Sequence, residues 1–171
     1  MPKDVISGGD LTTVINRVLE AEGRAILATA DRGHTEIAAA ARMIHEASGP
    51  LIVAGIGKSA HIARKIASTF RSLGRTAMFL HAAEASHGDL GLISDDAVVL
   101  VLSNSGETSE LSDLLHYCRA NAVSLIALTG RAESTLARFS DLAIVYGACG
   151  EACINGLAPT TSTTLSLAIG D

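Results

Sequence analysis

Ala97-Val-Val-Leu-Val-Leu102, running straight into Ser103-Asn-Ser-Gly-Glu-Thr-Ser-Glu110, is the stretch that decides the fold. Six apolar residues in unbroken succession read as a strand buried on both faces, the pattern of a parallel sheet covered by helices. The run ends in small hydroxyl residues and one glycine, and a helix is expected from 108 to 120. Backbone N–H groups at such a helix start lack partners and carry partial positive charge, so an anion suits the turn. Ser103, Asn104, Ser105 and Thr108 add side-chain donors, and phosphate is the natural guest. Neither Glu107 nor Glu110 suits a purely phosphate-holding loop, since each repels the anion, and one or both of them point to proton chemistry on whatever the phosphate is attached to.

Outward from this unit the same rhythm recurs. Continuously apolar strands are predicted over 51–56, 76–80, 98–102, 123–128 and 142–145, with helices over 59–73, 108–120 and 133–139 between them. Two amphipathic helices stand in front, over 10–31 with Asp10 as N-cap and over 35–47, the second stopped by Ser48-Gly49-Pro50. An apolar helix opens at 162 and the sequence ends about two turns later. Strands alternating with helices give an α/β, three-layer αβα domain with a five-stranded parallel, flavodoxin-like sheet. Ligands of such sheets bind beyond the carboxyl ends of the strands, where the winding reverses. Every unusual segment follows a strand: Gly55-Ile-Gly-Lys-Ser59, His81 to Asp89, Ser103 to Glu110, Thr129-Gly130 and Gly150-Glu151. The polar groups therefore converge on one edge.

Composition supports this and excludes other classes. The 171 residues are the size of one domain, 48% are apolar, and aromatics are 3% with no Trp, so the core is built of Ala, Val, Leu and Ile. A net charge of −5 argues against a nucleic-acid partner, which needs a basic face. Three cysteines form no zinc-like quartet and read as thiols in a reducing compartment. Neither a signal peptide nor an apolar run near the ~20 residues of a membrane span is seen, so a soluble, cytoplasmic protein is expected.

Three further motifs carry chemistry. Gly55-Ile-Gly-Lys-Ser59 lacks the spacing of a nucleotide-binding P-loop. Its glycines allow a tight turn, and Lys58 is a cation at a helix start, where the helix dipole disfavours it. The segment 81–90 places His81, His87, Glu84 and Asp89 close together, suited to sugar ring opening, general acid work or metal binding, and His87 is the stronger candidate. Glu151 stands alone in a small, apolar stretch, where desolvation would raise its pKa toward that of a useful base. Thr160 to Thr164 form a second hydroxyl-rich turn before a helix, either a second anion site or a simple N-cap.

Gly55-Ile-Gly-Lys-Ser59, Glu84-Ala-Ser-His-Gly-Asp-Leu90, Ser103-Asn-Ser-Gly-Glu-Thr108 and Leu157-Ala-Pro-Thr-Thr-Ser-Thr-Thr164 together resemble the sugar isomerase (SIS) domain, and more narrowly its D-arabinose 5-phosphate isomerase branch. The resemblance spans nearly the whole chain. It implies reversible conversion of D-ribulose 5-phosphate to D-arabinose 5-phosphate, the entry to the 3-deoxy-D-manno-octulosonate of lipopolysaccharide, in a homotetramer whose sites form at subunit contacts. It implies catalytic roles for Lys58, Glu110 and Glu151, a substrate or inhibitory-zinc role for His87, and a substrate contact for His81. No cofactor is required. A further catalytic histidine and a pair of regulatory CBS modules would lie past Asp171, so residues 1–171 are expected to be a single SIS domain cut short at its C-terminus. The reaction expected from these residues is a cis-enediol isomerisation. The 103–108 loop holds the phosphate, with Ser59 and residues 160–164, Ser162 among them. Glu151 or Glu110 moves the proton, and Lys58 steadies the enediolate. The competing readings are a non-catalytic sugar-phosphate sensor and another sugar-phosphate isomerase.

Overall fold

The structure, a computed structural model, describes residues 11–32 and 34–171; Asp10, expected to cap the first helix, lies outside the described residues. Two helices lead, α1 (Leu11–Ala30) and α2 (Thr35–Glu46). There follow β1 (Leu51–Gly55), α3 (Gly57–Ser72), β2 (Ala77–His81), β3 (Val98–Ser103), α4 (Ser112–Ala120), β4 (Ser124–Thr129), α5 (Thr135–Phe139), β5 (Leu142–Val145) and α6 (Thr161–Gly170). All five strands are parallel in the order β2-β1-β3-β4-β5, the flavodoxin-like arrangement.

The continuous apolar runs are explained by the two cores. Ile52, Ala54, Val99, Val101, Leu125 and Ala127 face one side, with Leu111, Leu114 and Cys118 of the β3–β4 connection packed on them. Leu51, Val53, Val98, Leu100, Ile126 and Leu128 face the other, under Ile44 of α2, Ile66 of α3 and Leu165 of α6. Alternate residues of each strand enter opposite cores, so no position is left for a polar residue. All three cysteines are free thiols, with Cys118 fully buried. No helix among the described residues is long and apolar enough to cross a membrane.

Of the element starts that differ from expectation, those of α3 and α4 border the strand ends. α3 opens at Gly57, two residues early; Gly57 itself has φ +56, and Gly55 lets the chain turn back on itself. A Cβ on Gly55 would lie 3.0 Å from the Ser59 carbonyl carbon. The helix expected from 108 begins instead as a 3₁₀ turn (Ser109–Leu111) and becomes α-helical at Ser112. The β2–β3 connection, unassigned from sequence, carries two 3₁₀ segments, Ala82–His87 and Asp89–Leu92.

Candidate functional site

Sheet register assembles the site. Gly55 at the end of β1 sits between His81 of β2 and Leu102 of β3, and Ser103 pairs with Thr129 of β4. β1 and β3 flank the point where the winding reverses. Lys58 and Ser59, in the first turn of α3, and the 103–108 loop therefore border one crevice. Lys58 is exposed and no carboxylate pairs with it among the described residues.

The 103–108 loop is folded on its own hydroxyls. Ser103 Oγ lies 3.0 Å from Thr108 Oγ1 and accepts from the Gly106 N–H at 3.1 Å, while Ser105 Oγ accepts from the Glu107 N–H at 3.2 Å. Gly106 has φ +65, and a Cβ there would lie 2.2 Å from Ser134 Oγ, so only glycine fits. Asn104 is exposed, and its Oδ1 accepts from the Tyr146 hydroxyl at 2.9 Å.

Glu107 is engaged by a later element of the fold. Its two oxygens accept from the Thr135 N–H and Thr135 Oγ1 at 2.8 and 2.7 Å, so it clamps the start of α5. Those bonds hold its carboxyl below the usual range. Glu110 remains available: it is exposed on the 3₁₀ turn after the loop and accepts from Ser109 Oγ at 2.9 Å. Its own backbone N–H and Ser109 lower its pKa.

Glu151 and the 160–164 turn, two separate features of the sequence, prove to be each other's partner. Glu151 Oε2 accepts from the Thr160 N–H (2.7 Å), Thr160 Oγ1 (3.2 Å) and the Ser162 N–H (3.3 Å), and Oε1 accepts from Ser162 Oγ. The turn is thus an anion site filled by the chain's own carboxylate, and α6 is capped from nine residues upstream. The raised pKa expected from desolvation is overturned. Burial does push the carboxyl up, but the Ser162 and Thr160 donors outweigh it and the value falls below the ordinary one.

The histidines divide. His81 is half-buried at the end of β2, its ring edge-on to Phe79 and its Nδ1 buried without a partner. His87 is exposed at the end of the 82–87 segment, which is tied to the first turn of α4 by Ser86 Oγ donating to Asp113. Among the described residues no group of three His, Cys, Asp or Glu could hold a metal ion, so none of them completes a zinc ligand set with His87.

Sequence reasoning missed Tyr146. It is 4% exposed and directly follows β5. Its hydroxyl touches Asn104, and burial pushes its pKa up to about 12, with Glu151 adding to the rise. A tyrosine immediately after a strand, in a chain with only two, was the available signal.

A family model described as the SIS domain matches residues 43–171. The chain is 40% identical over 164 residues to arabinose 5-phosphate isomerase KdsD of Salmonella typhi, covering 96% of this chain and 50% of that protein. It is 45% identical over 132 residues to KdsD of Pseudomonas aeruginosa, covering 77% and 40%. The chain thus spans about half the length of the curated relatives it matches. Among solved structures, E. coli CFT073 c3406 in complex with arabinose 5-phosphate superposes with a TM-score of 0.90 at 38% identity, over 95% of this chain and 86% of that one.

Proposed function

The chain belongs to the SIS domain family, and on that premise we propose that it interconverts D-ribulose 5-phosphate and D-arabinose 5-phosphate through a cis-enediol. The observation that carries the proposal is the likeness to the arabinose 5-phosphate complex, over nearly the whole domain and at 38% identity. The crevice between β1 and β3, with a phosphate-suited loop after one strand and after the other a lysine that no carboxylate pairs among the described residues, supports it.

In this reading the 103–108 loop and Ser59 hold the phosphate, and His81 contacts the sugar. The base is Glu151. Three donors fix Oε2, while Oε1 takes one and keeps a lone pair for a proton. Oε1 takes the proton from C2 of the aldose and returns it to C1, leaving the ketose. Lys58 steadies the negative charge that gathers on the substrate oxygen. Glu110, bound only by its neighbouring serine and its own backbone, is the second carboxylate, and His87 moves the proton between oxygens.

The same reading makes the protein a cytoplasmic homotetramer serving lipopolysaccharide synthesis. An assembly is supported by α1, which buries no residue and leaves Leu11, Ile15, Leu19 and Ile26 exposed along one face. The test is incubation of the protein with ribulose 5-phosphate, ribose 5-phosphate and a ketohexose phosphate, followed by NMR. Conversion of the first to arabinose 5-phosphate is expected. Turnover of another substrate alone, or binding without turnover, would replace the reading.

A further inference from the structure

Tyr146 stands where two halves of the site meet. Its main chain is fixed on both sides, and its ring lies against a glycine. Its N–H donates to the Thr129 carbonyl at 3.1 Å, its carbonyl accepts from Arg32 Nη1 at 2.6 Å, and its ring edge packs on Gly130. The phenol sits beside Ser166 of α6 and gives its one hydrogen to Oδ1 of Asn104 at 2.9 Å. The Asn104 main chain is fixed as well, its carbonyl accepting from the Gly130 N–H at 3.1 Å. A Cβ on Gly130 would lie 2.7 Å from that same Oδ1, so the glycine keeps the space in which the amide oxygen lies.

An asparagine amide has an accepting end and a donating end, and only the donating end suits an anion. Once Oδ1 is turned to the phenol, the NH2 group must point away from it. Asn104 itself is exposed, just beyond the carboxyl end of β3. We propose that Tyr146 is a positioning residue for the phosphate: it orients the Asn104 amide so that its NH2 group donates to the bound anion. The inference rests on the phosphate-holding role proposed for the 103–108 loop. It adds a specificity device, since an unanchored amide would present its oxygen to the anion as readily as its nitrogen.

The experiment measures binding of inorganic phosphate and of arabinose 5-phosphate by titration, with KM and kcat beside it, for the wild type, Tyr146→Phe, Asn104→Ala, the double variant and Asn104→Asp. Tyr146→Phe removes one oxygen and keeps the ring against Gly130, so a thermal midpoint near that of the wild type certifies the fold. Phosphate binding is expected to weaken about tenfold, the scale of one hydrogen bond to a charged group. KM should rise in step while kcat moves far less. Asn104→Ala should cost at least as much, and the double variant no more than Asn104→Ala, because the tyrosine acts only through the amide. Asn104→Asp keeps an acceptor for the phenol but loses the NH2 group, and should lose phosphate binding with the tyrosine in place. Phosphate binding by Tyr146→Phe within twofold of wild type, additive losses, or a fall in kcat at unchanged KM would each overturn the proposal. A wild type that binds no phosphate overturns it together with the loop's role. One that binds phosphate but isomerises no pentose phosphate overturns only the proposed reaction.

Discussion

Replacing Glu151 by Gln and by Ala separates two roles that the structure joins in one side chain. As a cap, the carboxylate takes the Thr160 and Ser162 N–H groups at the start of α6. Alanine leaves both without their partner, and loss of such a cap costs about 0.5–2 kcal/mol. Loss of the negative charge at the helix N-terminus adds about 0.3–1 kcal/mol. The sum is about 2 kcal/mol, or roughly 4–8 °C in Tm for a domain of this size. Glutamine keeps a carbonyl oxygen that can occupy the Oε2 position, and forfeits mainly the charge. Its cost is about 1 kcal/mol, or roughly 2–4 °C. As a base, the two variants are equally deficient, and both should reduce solvent-deuterium incorporation at the transferred carbon by ~10²-fold or more. Thermal unfolding and NMR-detected exchange on the same samples give both readouts. Near-normal exchange in Glu151→Gln would move the base to Glu110. A glutamine variant as unstable as the alanine one would refute the capping account.

Three other outcomes are expected. Gly106→Ala combines a left-handed backbone, which costs a side chain about 1–2 kcal/mol, with a Cβ 2.2 Å from Ser134 Oγ; calorimetry should show a Tm loss of several degrees, and an unchanged Tm would contradict the loop geometry. Glu107, Glu110 and Glu151 all titrate below their ordinary range. Such groups add stability above their unfolded pKa and surrender it as pH falls through the folded one, so Tm should be level from neutrality to about pH 5 and decline below about pH 4. Glu107→Gln and Glu151→Gln should flatten that decline. Lys58→Met should lower kcat by about 10²-fold or more, the scale of losing one transition-state donor. It should leave Tm equal or slightly higher, because a cation at a helix start is unfavourable by about 0.3–1 kcal/mol; a lower Tm with retained kcat would make Lys58 structural.

What could be read from the sequence was what depends on neighbours along the chain. Strand β3 is six buried residues, and nothing but a doubly covered strand accommodates Val98 to Leu102 without a polar position. The turn residues at Gly55 and Gly106 announced themselves for the same local reason. What could not be read were partnerships across the fold. Glu107 and Thr135 are 28 residues apart, and no spacing rule links a loop carboxylate to the start of a later helix. Glu151 was legible as an isolated acid and 160–164 as a donor-rich turn. That one fills the other, and so reverses the direction of the pKa shift, needed the coordinates. The 3₁₀ start at Ser109 follows from Leu111, which is 1% exposed and must reach the core before the α-helix is set.

The depressed pKa of Glu151 bears directly on how the proposed reaction works. A carboxylate stabilised by four donors is always ionised at neutral pH, but it is also a poor proton acceptor, and a proton on carbon is reluctant to leave. The driving force must then come from the substrate side, by making that proton more acidic. A cation beside the substrate oxygen does this, and at an effective dielectric near 20 a charge pair at about 4 Å is worth about 4 kcal/mol. Lys58 is the exposed cation at the crevice that no carboxylate neutralises among the described residues, and it stands at the end of a helix that repels it. An unfavourable lysine and an over-stabilised glutamate are each a cost when considered alone. Facing a substrate that becomes an enediolate, they are complementary: the lysine gains its missing counter-charge as the reaction proceeds, and the glutamate gives up a charge that its donors had held.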